Sequence, residues 1–77
     1  MPHVIVKLYS GRTEEQKQQL SAEIARAVVE IAGCAEKSVS VAIVDVHPDD
    51  WTETVYKPDI LESGHPLYKK PGYDPLQ

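Results

Sequence analysis

The first two residues carry the most direct chemical possibility in this chain. Met1 is followed by Pro2, and a small second residue normally permits removal of the initiator methionine. Removal exposes a proline with a free secondary amine. An α-amino group titrates at about 7.7–8.0, and an apolar pocket or a nearby cation lowers that value. A neutral amine can then take up a proton near neutral pH, which is the property of a general base. Met-Pro is also an ordinary way for a chain to begin, so the dipeptide alone leaves the plain reading open. The other candidates are weaker. Cys34 is the only cysteine and follows Gly33 at the end of a helical pattern, where the helix dipole disfavours a thiolate. It reads as a passive small residue. His3, His47 and His65 are scattered without the spacing of a metal site. The sequence has no phosphate-binding loop, no dinucleotide-binding glycine motif and no nucleophile elbow, so no cofactor is expected.

Two strands and a helix must position these residues. Pro2 to Leu8 alternates, with Val4, Val6 and Leu8 on one face and His3, Ile5 and Lys7 on the other. Ser10-Gly11 punctuates the chain. Thr13 to Ala32 is predicted to be helical: Thr13 and Gln16 sit at capping-box positions, and Glu14 and Glu15 suit the first turn. Leu20, Ile24, Ala27, Val28 and Ile31 make an apolar stripe, with Glu23, Arg26 and Glu30 toward the other side. Gly33 is a natural stop. Val39 to Val46 alternates again as a second strand. The result is an α/β fold, a single βαβ unit whose right-handed crossover makes the strands parallel. One helix covers one face of such a sheet, whereas parallel sheets normally have both faces covered. A second copy is the simplest lid, so oligomerisation, a homodimer at minimum, is expected to complete the fold. After His47-Pro48 a short helix bearing Trp51, Val55 and Tyr56 is predicted, broken or restarted at Pro58, and then an irregular C-terminal segment.

Bulk composition narrows the function. The 77 residues suffice for one domain, 1–77, and a domain of this size is marginal as a monomer. Net charge is −4, and only Lys69-Lys70 are adjacent among the basic residues, so nucleic-acid binding is not expected. No apolar run approaches the length of a membrane span, and no basic-then-apolar leader opens the chain. A cytoplasmic location is the default expectation.

Pro2 opens a strand directly, and Tyr9-Ser10-Gly11-Arg12-Thr13-Glu14-Glu15-Gln16-Lys17 leads from it into the capped helix. This stretch, with Ser38-Val39-Ser40-Val41 and then Trp51, resembles the tautomerase superfamily of the 4-oxalocrotonate tautomerase type over about the first 50 residues. The tail Lys69-Lys70-Pro71-Gly72-Tyr73 is similar to that of longer members associated with phenylpyruvate tautomerisation. The resemblance implies that Pro2 is the catalytic base, that Arg12 binds a substrate carboxylate and that Trp51 walls the pocket, with the site near a subunit boundary. Without it, Arg12 reads as a solvated turn residue and Trp51 equally well as core. The dicarboxylate-handling members carry a second arginine in the second strand, where this chain has Ser40. A hydroxyl does not replace that charge, and Arg26 lies on the polar side of the helix, so a monocarboxylate such as a phenylenolpyruvate-like enol fits better.

The leading expectation is therefore a cofactor-free keto–enol tautomerase. Other superfamily reactions, by dehalogenases of hydratase type or a decarboxylase, need a further carboxylate or a different charge set, and sequence does not place Asp45 or Asp49 in a pocket. The remaining alternative is a non-catalytic oligomeric module that binds a small ligand.

Overall fold

The computed structural model describes residues 1–77. Its first strand, β1 (His3–Tyr9), pairs in parallel with β2 (Ser40–Val46), from His3 opposite Ser40 to Tyr9 opposite Val46. Both strands begin one residue later than the sequence pattern suggests. Val4, Val6, Leu8, Val41 and Ile43 are half-buried on one face, as alternation of β-branched and polar residues requires. Helix α1 (Glu14–Ala27) crosses over this face between the two strands, completing the βαβ unit.

The start of α1 follows its local sequence closely. Thr13 Oγ1 accepts the Gln16 N–H at 3.1 Å, and Gln16 Oε1 accepts the Thr13 N–H at 2.9 Å. This reciprocal pair satisfies donors that the first helical turn leaves free. The far end departs from expectation. Regular α-helix stops at Ala27, and Val28–Gly33 continues as a wider, π-type helix. The widening changes the period only beyond Ala27, so it bears on Ile31 and not on Leu20 or Ala27. Ile24 and Val28 are half-buried as the expected stripe requires, but Leu20 and Ala27 are exposed and Ile31 is 86% exposed. The covered positions instead include Lys17, Ser21 and Ala25. Gly33, at φ +73°, ends the wide segment in the left-handed region that glycine enters without steric cost.

Within the first unit, α1 covers one sheet face and not the other. The second face carries His3, Ile5, Lys7 and Tyr9 from β1 and Ser40, Ala42, Val44 and Val46 from β2. Ile5 and Val44 remain 56% and 41% exposed.

The chain divides into two compact units, Met1–Val46 and His47–Gln77. The second starts with a 3₁₀ turn, Pro48–Asp50, capped by His47, whose Nδ1 accepts the Asp49 N–H at 3.1 Å. A π-type helix, Thr52–Leu61, follows with Pro58 inside it. Pro58 was expected to break or restart the helix; it does neither. Proline lacks an N–H, and its ring crowds the carbonyl four residues back. The wide turn relieves that crowding, and the helix closes with the Glu62 N–H on the Lys57 carbonyl at 2.9 Å. Val55 and Tyr56, at 5% and 7% exposure, are the buried core.

Candidate active site

Pro2 lies at the entrance to β1 and is half-buried, while Met1 is fully exposed. The Ser40 N–H donates to the Pro2 carbonyl at 3.1 Å, so the parallel ladder already grips the residue before the strand begins. A proline belongs in such a place, because it has no N–H for the ladder to lose. Ser40 makes a second contact here: its Oγ shares a hydrogen bond with His3 Nδ1 at 2.6 Å. His3 points to the face opposite α1, as alternation requires. Its pairing with Ser40 escaped the sequence reading, because the two residues are 37 apart and only the strand register joins them.

Arg12 sits at the other end of β1. The Ser10 N–H extends the ladder to the Val46 carbonyl at 3.0 Å. The chain then turns at Gly11, whose φ of +122° side-chain-bearing residues rarely adopt. Arg12 is exposed, and its Nη1 donates to the Tyr9 carbonyl at 3.4 Å. This turn aims a guanidinium outward without committing it to a carboxylate pair. Seven strand residues separate it from Pro2, a span of roughly 23 Å. That is far beyond the reach of an arginine side chain. One chain therefore does not bring the two expected site residues together.

Other charged groups are already engaged. Lys17 Nζ meets Asp45 Oδ2 at 2.5 Å beneath α1, and this hydrogen bond, aided by the Asp45 and Glu14 charges and opposed by desolvation, raises the lysine above its ordinary pKa. Asp45 is thus a structural partner of α1. Arg26 pairs with Glu23 and, at 3.5 Å, with Glu30 along the exposed side of the helix, so its guanidinium is already engaged. Asp49 lies 3.7 Å from His47 Nδ1 in its own turn. An open groove of about 520 Å³ runs between α1 and β2, lined by Lys17, Ser21, Ala25, Val39, Val41 and Ile43 among others. Neither Pro2 nor Arg12 lines it.

Within the second unit, Trp51 is half-buried at the junction of the 3₁₀ turn and the π-type helix. Its indole N–H donates to the Tyr73 hydroxyl at 2.8 Å. The Tyr73 ring packs on Tyr56 at a centroid distance of 5.6 Å and an interplanar angle of 51°. Burial pushes the Tyr56 phenol above its ordinary pKa, with the Asp74 charge and Tyr73 adding to the effect. The sequence named Tyr73 as part of the tail pattern but did not pair it with Trp51.

No helix is long and apolar enough to cross a membrane. The tautomerase enzyme family model matches residues 2–54. A probable tautomerase of Xylella fastidiosa is 43% identical over 76 residues, covering 99% of this chain and 93% of that protein. Tautomerase PptA of Klebsiella pneumoniae is 39% identical over 74 residues, covering 95% of this chain and 97% of that protein. Among solved structures, a 4-oxalocrotonate tautomerase isozyme from Methylibium petroleiphilum aligns with a TM-score of 0.63 at 36% identity, covering 65% of this chain and 81% of its own. The βαβ frame and these matches lead to one conclusion: the chain belongs to the tautomerase family and is an isomerase.

Proposed function

We propose that the protein is a cofactor-free keto–enol tautomerase for a small 2-oxo/2-enol monocarboxylate of the phenylenolpyruvate type, with Pro2 as general base after loss of Met1. The observation that carries this reading is the hold on Pro2. The Ser40 N–H on its carbonyl fixes the residue at the mouth of the parallel ladder, and the exposed Met1 leaves the bond to be cut accessible. The amine takes the proton of the enol hydroxyl and delivers it to the neighbouring carbon as the carbonyl forms; the reverse path returns it. The isomerisation is redox-neutral and needs only a group that carries the proton between the two positions.

Arg12 engages the substrate carboxylate through parallel N–H donors. Because it lies at the far end of β1 from Pro2, the site takes Arg12 from a second copy. A two-fold axis across the sheet runs neighbouring strands in opposite directions. It sets the Pro2 end of one β1 toward the Arg12 end of another. The exposed Ile5 and Val44 side chains give such a homodimer apolar surface to bury. Trp51 supplies the apolar wall. Ser40 adds a hydroxyl rather than a second cation, which favours one carboxylate and an apolar or aromatic remainder. Residues 1–77 then act as one domain of a cytoplasmic enzyme.

The test is the ketonisation rate of phenylenolpyruvate across pH, with protein that begins at Pro2. A rate well above buffer that falls as acid protonates a single group near neutrality supports the reading. An extra residue retained before Pro2 should lower kcat/KM by about 10²- to 10⁴-fold. No acceleration at any pH sinks it.

A further inference from the structure

We propose that Tyr73 is a positioning residue that holds Trp51 in place as the pocket wall and thereby sets the preference for an apolar or aromatic substrate group. This rests on the reading of Trp51 given above and deepens it. An indole offers one N–H donor and no acceptor, so an oxygen placed on that donor selects one orientation of a large flat side chain. The Tyr73 hydroxyl occupies that place at 2.8 Å. Tyr73 is in turn braced, because its ring lies against Tyr56 at 5.6 Å and Tyr56 is one of the two buried residues of the unit. Trp51 is thus tied through Tyr73 to one of the two buried side chains of the unit. The Trp51 backbone is set independently, at φ −59° and ψ −50° between two helical segments. The Tyr73 contact therefore acts on the orientation of the ring. Tyr73 also lies beyond residues 2–54, the part matched by the family model. The tail therefore contributes something that the shared βαβ frame does not.

The experiment compares wild type with Tyr73→Phe and Tyr73→Leu. The first keeps the ring on Tyr56 and removes the hydroxyl; the second removes both. Trp51 is the only tryptophan, so acrylamide quenching of intrinsic fluorescence reports on it alone. Tyr73→Phe should fold with an unchanged circular dichroism spectrum, make Trp51 easier to quench, and raise KM for phenylenolpyruvate roughly two- to tenfold, the range for one lost hydrogen bond. The change in kcat should be smaller, and Tyr73→Leu should raise KM further. Quenching and KM both at wild-type values in Tyr73→Phe overturn the proposal. Altered quenching with unaltered kinetics overturns it too, since the clamp would then not serve the site. If wild type itself fails to turn over phenylenolpyruvate, the substrate reading is at fault and this inference falls with it. That failure is recognisable because it precedes any change at Tyr73.

Discussion

The separation of Pro2 and Arg12 makes a quantitative prediction. The seven residues of β1 stand between them, and at about 3.3 Å per residue they lie roughly 23 Å apart in one chain. A site that uses both must draw them from two copies. Two variants, each defective in one component, should then repair one another. Pro2→Leu presents a bulky second residue that keeps Met1 attached, so no free amine stands at the strand entrance. Loss of a general base costs about 10²- to 10⁴-fold. Arg12→Ala removes hydrogen bonds to a charged group, each worth about 1.5–3 kcal/mol, or roughly 10- to 150-fold in kcat/KM. Each variant alone should therefore be close to inactive. When the two are unfolded together in equal amounts and refolded, a site is intact only if its Pro2 copy and its Arg12 copy are both normal at those positions. Random assortment makes that about one quarter of sites, whatever the size of the assembly, provided neighbouring copies share sites. The assay is phenylenolpyruvate ketonisation by the refolded mixture, with each variant refolded alone as control. A mixture no more active than its components would refute the shared site.

Further outcomes follow from the same geometry. Lys17 is raised above its ordinary value of 10.5 by Asp45, so its contribution to stability is present below pH 10.5 and fades as pH rises through the folded-state value; wild type should lose its thermal advantage over Lys17→Met in that alkaline range, and an advantage independent of pH would contradict the pairing. Thr13→Ala removes the N-cap acceptor of the Gln16 N–H and should destabilise the protein by about 0.5–2 kcal/mol in urea unfolding; no change would mean that the cap is idle. Ile5→Glu places a charge on the sheet face opposite α1, where Ile5 is 56% exposed. It should convert the assembly to smaller species in native mass spectrometry and abolish activity together with assembly, whereas an intact and active oligomer would show that this face is not the contact.

What the sequence by itself determined was local. The capping box is written in Thr13 and Gln16, three residues apart, and the structure makes both of its hydrogen bonds. Alternation in Val4-Ile5-Val6 and Val41-Ala42-Ile43 separates two sheet faces because a strand turns each successive side chain over. Pro2, Arg12 and Trp51 stand out together in the sequence only through the family resemblance, and their roles remain a proposal. What only the tertiary structure decided was the partner of each side chain across the fold. Ser40 meets His3, Lys17 meets Asp45 and Trp51 meets Tyr73 at sequence separations of 37, 28 and 22 residues. Strand register and tail placement create those contacts, and neither leaves a periodic mark in the chain. The widening of the helix at Val28 belongs to the same class. It turns Ile31 out of a stripe that a uniform 3.6-residue period would have kept in place. Local hydrogen bonding sets which elements form, while packing across long loops sets which side chains they bring together.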